Sequence, residues 1–245
     1  MSRLARVACL TLVGVGLLWI AFVMVGSLGN PSFGLDFRWH MDAARRLLDT
    51  GTPYWDWQIA GPYVIGDGAI LYPPTAFALF IPFLWLPPIL WWLVPVAITV
   101  YAMARHHPPL WAWVIVVGLF AFEKSLNVYI FGNPSIWIVA AVSAGTVWGW
   151  PSAFVLAKPT FAPLAFIGIR HRSWWVTLAI FAGVSLLFLP VWSDWLAVVR
   201  NSDVSWTYNL PTLPLMLAPL VPWAASRELT GTGWEYRYLV RPSGR

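Results

Sequence analysis

Charge is the scarcest property of this chain. Only 10% of its 245 residues are Asp, Glu, Lys or Arg, while 59% are hydrophobic; a soluble domain carries about 25% charge. That balance excludes a water-soluble globular core and points to lipid as the solvent. Cysteine is scarcer still: Cys9 stands alone in the first apolar run, so neither a disulfide nor a thiolate metal site can be built. A glycine-rich phosphate loop, zinc-type His and Cys spacing and a Gly-x-Ser-x-Gly elbow are all missing, which removes most familiar enzyme classes. No internal repeat is evident, so an inverted-repeat transporter gains no support. The net charge of +5 does not point to nucleic acid, because the basic residues are scattered at the ends of apolar runs, as membrane topology requires.

What is abundant is apolar chain and tryptophan. The 19 Trp and 8 Tyr suit membrane–water boundaries. At about 20 residues per transmembrane helix, the length allows some seven or eight spans and no large soluble domain. Arg3 and Arg6 precede a run from Val7 to Leu28, too long for a signal-peptide core and read as a retained first helix. From Leu71 to Ala104 no charge occurs, but Pro82, Pro87, Pro88 and Pro95 interrupt the run. It is one kinked helix or, the favoured reading, two short ones turning at Pro87-Pro88. Further runs follow at 110–122, 131–148, 151–169, 174–192 and 210–225. The expected fold is therefore all-α and polytopic, about eight spans in one transmembrane domain (1–225) with a polar tail (226–245). Counting Lys and Arg along alternating spans places both termini inside and the polar intervals 30–71 and 193–208 outside. Arg105, beside two histidines, fits that alternation least well.

The first outer loop is the longest polar interval. Phe37, Met41, Ala44 and Leu48 recur at helical spacing, and so do Arg38, Asp42, Arg45 and Asp49, so a short helix lying along the membrane surface is expected. Asp36 falls at its first turn or N-cap, where the helix dipole favours an ionised carboxylate and a low pKa. It is either an ordinary cap or a base for group transfer at the membrane surface. His40, one turn on, could share its face and donate to a phosphate or hydroxyl. Arg38, Arg45 and Arg46 read as lipid-headgroup contacts. Lys158 is the only charge between Asn133 and Ile169; it either snorkels to an interface or meets a phosphate within the membrane. Gly132-Asn133 reads as the start of a span, and Tyr72-Pro73-Pro74 as the device that sets the angle of the second helix.

Taken together, Asp36-Phe37 with Ala43-Ala44 and Leu47-Leu48, Gly51 to Tyr54, Leu71-Tyr72-Pro73-Pro74, Gly132-Asn133 and Ala157-Lys158-Pro159 resemble, in order and spacing, the GT-C glycosyltransferases of family 87. That family includes polyprenol-phosphomannose-dependent mannosyltransferases. Its members usually carry Gln where this chain has Asn133, and are usually longer. The resemblance implies an inverting transfer of a hexose, mannose foremost, from a polyprenyl-phosphate sugar to a lipid or glycan acceptor on the outer face of the cell membrane. Asp36 would be the base, and Lys158, His40, Arg38, Tyr72 and Asn133 would bind the donor. No cofactor or metal is expected, nor nucleic acid; the partners are membrane lipids and a candidate second chain supplying further spans. The competing class is non-catalytic, a polyprenyl-lipid carrier or flippase or an envelope-assembly scaffold.

Overall fold

A computed structural model describes residues 1–66, 68–205 and 208–229, so the tail residues Arg237, Arg241 and Arg245 lie outside the described residues. Every regular element among the described residues is a helix, as expected for a backbone that must satisfy its own polar groups in hydrocarbon. One parallel bridge, Tyr63 to Ser202, is the sole trace of β pairing there. Helix α1 (Arg3–Ser27) has no buried residue and alone is long and apolar enough to cross a membrane unbroken. Two bent pairs add up to two more crossings: α6 (Leu110–Ala121) with α7 (Glu123–Ile130), at 64°, and α10 (Arg172–Leu187) with Leu189–Asn201, which contains α11 (Trp192–Asn201), at 76°. The other apolar helices are short, among them α5 (Leu90–Ala104) and α8 (Ser135–Trp148).

Polar contacts sort the turns of the chain into two poles. At the first, the surface helix α2 (Leu35–Thr50) is seated on the turn after α7: Gly34 N–H donates to Ile130 O at 2.8 Å and Phe37 N–H to Phe131 O at 3.2 Å. The two polar intervals are bonded to each other at this pole. Asn201 Nδ2 donates to the carbonyls of Gln58 and Ile59 at the short helix α3 (Asp56–Ala60), Tyr63 Oη donates to Val198 O, and Trp195 Nε1 donates to Leu71 O. They therefore lie together at one pole. At the second pole, His106 Nε2 and Thr146 Oγ1 lie 2.7 Å apart, Tyr101 stacks on Trp148, and His171 packs against Gly149.

These contacts correct the alternation of eight spans. That scheme puts 123–134 opposite Asp36 and 170–172 opposite 149–151, yet each pair shares a pole. The reason is that two apolar runs do not traverse the bundle. The run after Leu71 divides into Pro74–Ala76, α4 (Phe77–Phe80) and Ile81–Leu84, then turns at 85–89 to begin α5. Trp91 Nε1 donates to Gly132 O and Trp92 Nε1 to Tyr129 O, so the run returns to the pole it left. The favoured pair of short segments is present, but both the start of the first and the start of the second lie at the Asp36 pole. The run from Trp150 enters from the opposite pole as Trp150–Ala157, breaks at Lys158, and returns through Pro159–Phe161, α9 (Ala162–Ala165) and Phe166–Gly168. Gly168 N–H donates to Ser152 Oγ at 3.1 Å, and a Cβ at Gly168 would collide with Gly149 O, so the stem of this hairpin closes backbone to backbone. Proline explains both failures to traverse: each removes a helix donor and crowds the preceding turn, and the chain settles into 3₁₀ turns.

The chain ends its described part with α12 (Leu213–Leu217) and α13 (Leu220–Leu229), which pack on α5, α6 and α8. The interval 123–130, expected to be a connection, is helix α7, and much of the second polar interval is helix α11. Asp36, Asp42, Asp49, Asp56, Glu123, Asp194 and Asp203 all belong to the first pole. Arg105, misfit of the alternating scheme, joins Arg170 and Arg172 at the second. Beneath α2 an aromatic cluster fills the core: Phe37, Phe77, Phe80, Phe83 and Trp91, each no more than 8% exposed.

Candidate functional site

The site begins with a glycine. Gly132 has φ +67°, and a Cβ there would lie 2.6 Å from Trp92 Cζ2. It ends α7 in a Schellman turn, its N–H bonding Tyr129 O at 3.1 Å and the next N–H, of Asn133, bonding Val128 O at 2.9 Å. Gly132-Asn133 thus closes one helix before α8 begins. The turn presents the Asn133 side chain to Asp36, whose helix is held on the same turn by its first amides.

Asp36 lies in the first turn of α2, but the N-cap is Gly34 and no side chain caps the helix. The capping account of Asp36 is therefore replaced by another partner: Asn133 Nδ2 donates to Asp36 Oδ2 at 2.6 Å. Asn133 Oδ1 accepts from Ser135 N–H (3.0 Å), Ser135 Oγ (2.6 Å) and Tyr72 Oη (3.3 Å). Lys158 Nζ donates to Ser135 Oγ at 2.6 Å. A chain of hydrogen bonds thus runs from an ammonium to a carboxylate, 122 residues away in sequence. Lys158 Nζ also lies 5.4 Å from the Tyr72 ring centroid and 5.5 Å from that of Phe161, within cation–π range. It does not snorkel; the hairpin carries it inward, and it is 9% exposed.

Asp36 is half-buried. Burial raises its pKa above the ordinary carboxylate value, opposed by the Asn133 hydrogen bond and the charge of Lys158. The expectation of a low pKa from the helix dipole is corrected: desolvation wins. His40 does share the face of Asp36. Its Nδ1 donates to Asp36 O at 2.6 Å, its ring meets Tyr72 and Phe80 edge-on, and burial lowers its pKa to about 4. A neutral ring with its proton on Nδ1 leaves Nε2 as an acceptor, and that atom is buried without a partner. Donation from His40 to a phosphate is thus not what this geometry offers.

Arg38 stands apart from the cluster. Its guanidinium donates to Phe33 O and Pro31 O at 2.7 and 2.6 Å, folding the chain before α2. Arg45 pairs with Asp42 at the surface, and Arg46 donates to Pro53 O and covers the Trp55 ring at 3.3 Å. Of the expected donor-binding residues, Tyr72, Asn133, Lys158 and His40 converge on Asp36 and Arg38 does not.

Two neighbours escaped the sequence reading. Tyr208, from the second polar interval, has its pKa raised by burial and, secondarily, by the nearby charge of Asp36. Ser135 is fully buried and joins Lys158 to Asn133. The signal for its bond to Asn133 was present, since a serine directly after Asn-Pro at a helix start is placed to bond the Asn side chain. A serine beside a lysine is also the pairing of Ser–Lys acyl-transfer enzymes, but here the hydroxyl is inaccessible and its proton is directed at Asn133. Comparison with family models, with curated proteins and with solved structures finds no match to this chain.

Proposed function

We propose that the protein is a membrane glycosyltransferase that moves a hexose, mannose foremost, from a polyprenyl-phosphate sugar to a lipid or glycan acceptor with inversion. The observation that carries this reading is the hydrogen-bonded chain from Lys158 to Asp36. It sets a cation and a carboxylate at the two ends of one buried polar strip, at the pole where the amphipathic α2 and α11 lie. Single displacement at an anomeric carbon needs that pair. The acceptor oxygen bonds to the anomeric carbon as the bond from that carbon to the phosphate oxygen breaks. The acceptor's proton passes to Asp36, and the polyprenyl phosphate departs with the bonding electrons, its charge met by Lys158. A raised carboxylate pKa makes Asp36 a stronger base while it is ionised.

On this reading the basic pole, with Arg105, Arg170 and Arg172, faces the cytoplasm by the positive-inside rule, and the Asp36 pole faces outward. Membrane lipid covers the exposed apolar sides of α1. The test is transfer from labelled polyprenyl-phosphomannose to extracted lipids in membranes carrying the parent or Asp36→Asn. Asn is nearly isosteric and can accept the Asn133 bond, but takes up no proton at neutral pH. A loss of about 10²- to 10⁴-fold is expected. Retention of more than about a tenth of the parent rate, well short of that range, would remove Asp36 from the chemistry, whereas no transfer by the parent would leave a non-catalytic carrier or scaffold.

A further inference from the structure

We propose that Ser135 is a positioning residue for Asp36: it orients the Asn133 amide so that its nitrogen, not its oxygen, faces the carboxylate. The functional meaning of this rests on Asp36 being the base; the geometry stands by itself.

A carboxamide is nearly symmetric in shape and opposite in polarity at its two ends. Turned over, Asn133 would set an oxygen against Asp36 and oppose its ionisation. Two donors from Ser135, its backbone N–H at 3.0 Å and its Oγ at 2.6 Å, hold Oδ1 away from Asp36. The hydroxyl has one proton, so its direction matters. An ammonium has donors only, and Lys158 therefore occupies a lone pair of Ser135 Oγ, at 2.6 Å, leaving the serine proton for Asn133. Each bond fixes the sense of the next, from Lys158 through Ser135 and Asn133 to Asp36 Oδ2. Ser135 and Lys158 are 0% and 9% exposed, so water does not compete for that end of the chain.

The other polar and titratable groups facing Asp36 cannot substitute for this control. His40, on α2 itself, is neutral, and its Nδ1 proton is donated to the Asp36 main-chain oxygen. Tyr72 donates to the same Oδ1 at a longer 3.3 Å. Tyr208, from the second polar interval, is an ordinary neutral phenol whose pKa is raised further.

Without the hydroxyl, the Asn133 amide loses its shortest restraint and Lys158 its acceptor. The ionised form of Asp36 is then less well solvated, and its pKa rises further. The experiment follows the infrared carbonyl band of the protonated carboxyl that Asp36→Asn removes, as a function of pH, in the purified full chain in detergent. Ser135→Ala should move the midpoint up by about one pH unit, within the range that hydrogen bonding exerts, and Ser135→Thr should return it to the parent value. On the acid side of the midpoint, transfer should fall about tenfold in Ser135→Ala, as one pH unit of lost ionisation implies, and recover in Ser135→Thr; well above the midpoint the two rates converge. A Ser135→Ala midpoint equal to that of the parent overturns the proposal. So does a folded Ser135→Thr that fails to restore it. Ser135→Ala adds no bulk and decides the matter if the extra methyl of Ser135→Thr prevents folding. The two readings separate: if Asp36→Asn transfers sugar normally while Ser135→Ala still shifts the band, the base assignment fails and the positioning stands.

Discussion

Two apolar runs of equal length, 71–89 and 150–168, are both broken by proline, five in the first and three in the second, and enter the bundle from opposite poles. The first dips in beneath α2 as the turns Pro74–Ala76, α4 and Ile81–Leu84, and contributes aromatic mass: Phe77 and Phe80 are fully buried, and Tyr54 Oη ties its start by donating to Tyr72 O at 2.7 Å. The second carries a charge at its tip. Its stem is sealed by Ser152, which bonds Gly149, Ala165 and Gly168, and the tip delivers Lys158 to Ser135. A through-going helix would have placed Lys158 against lipid or a neighbouring helix face. A hairpin that stops partway brings an ammonium to a carboxylate rooted in the far pole, with backbone bonds holding the turn. The two hairpins thus divide the labour, since one run builds the floor of the site and the other supplies its cation.

Sidedness probes this contrast most directly. Single cysteines at Ser32, Lys124, His107 and Arg172 are expected to divide in pairs: an impermeant thiol reagent labels Ser32→Cys and Lys124→Cys in intact cells and spares the other two. Eight alternating spans demand a different pattern, with 32 and 107 labelled and 124 and 172 protected. Labelling at 172 together with protection at 124 would refute both hairpins as drawn.

Lys158→Met separates the two hairpins by their chemistry. Met fills comparable space without charge, so the hairpin should still close at Ser152, while the affinity for a polyprenyl-phosphate sugar falls by about 10²-fold or more, the usual cost of removing one partner of a buried charge pair. Equal binding by parent and variant, measured in detergent, would leave the second hairpin with no more than a structural part.

How far this was legible from residues follows the same division. Periodicity found α2 and its two stripes, because an amphipathic surface helix writes its environment into every third or fourth side chain. Asp36 and Lys158 were legible because charge is so rare here that each one needs a reason. Their meeting was implied only by the family resemblance, not by the pattern of the apolar runs. Nothing in a hydrophobic run says whether it crosses or turns back; proline marks a break, but the sense of the turn depends on what seals it, here Gly168 against Gly149 and the tryptophans 91 and 92 bonded to the turn after α7. Ser135 was only half visible: its place directly after Asn133-Pro134 shows a bond to the Asn side chain, but nothing shows Lys158, 23 residues away, as its second partner. The raised pKa of Asp36 was missed because a helix terminus is visible in sequence and burial of the carboxylate is not.

The smallest expected effect concerns Tyr72, the first hairpin's one polar contribution to the cluster. Transfer requires ionised Asp36, so the rate should fall as pH drops through its pKa. Burial, the largest influence on that group, places the acid limb above the ordinary carboxylate range. Tyr72→Phe removes one of the three donors on Asn133 Oδ1 and keeps the ring beside His40 and Lys158. A neutral hydrogen bond is worth about 0.5–1.5 kcal/mol, so the rate should fall no more than about tenfold. The acid limb should move upward by less than it does in Ser135→Ala, because the two shorter bonds from Ser135 still aim the amide. The check is the pH profile of transfer for parent, Tyr72→Phe and Ser135→Ala measured together. A parent limb at or below the ordinary carboxylate range would mean that Asp36 is better solvated than its burial indicates. A larger displacement in Tyr72→Phe than in Ser135→Ala would transfer control of the carboxylate from the Lys158 hairpin to the one beneath α2.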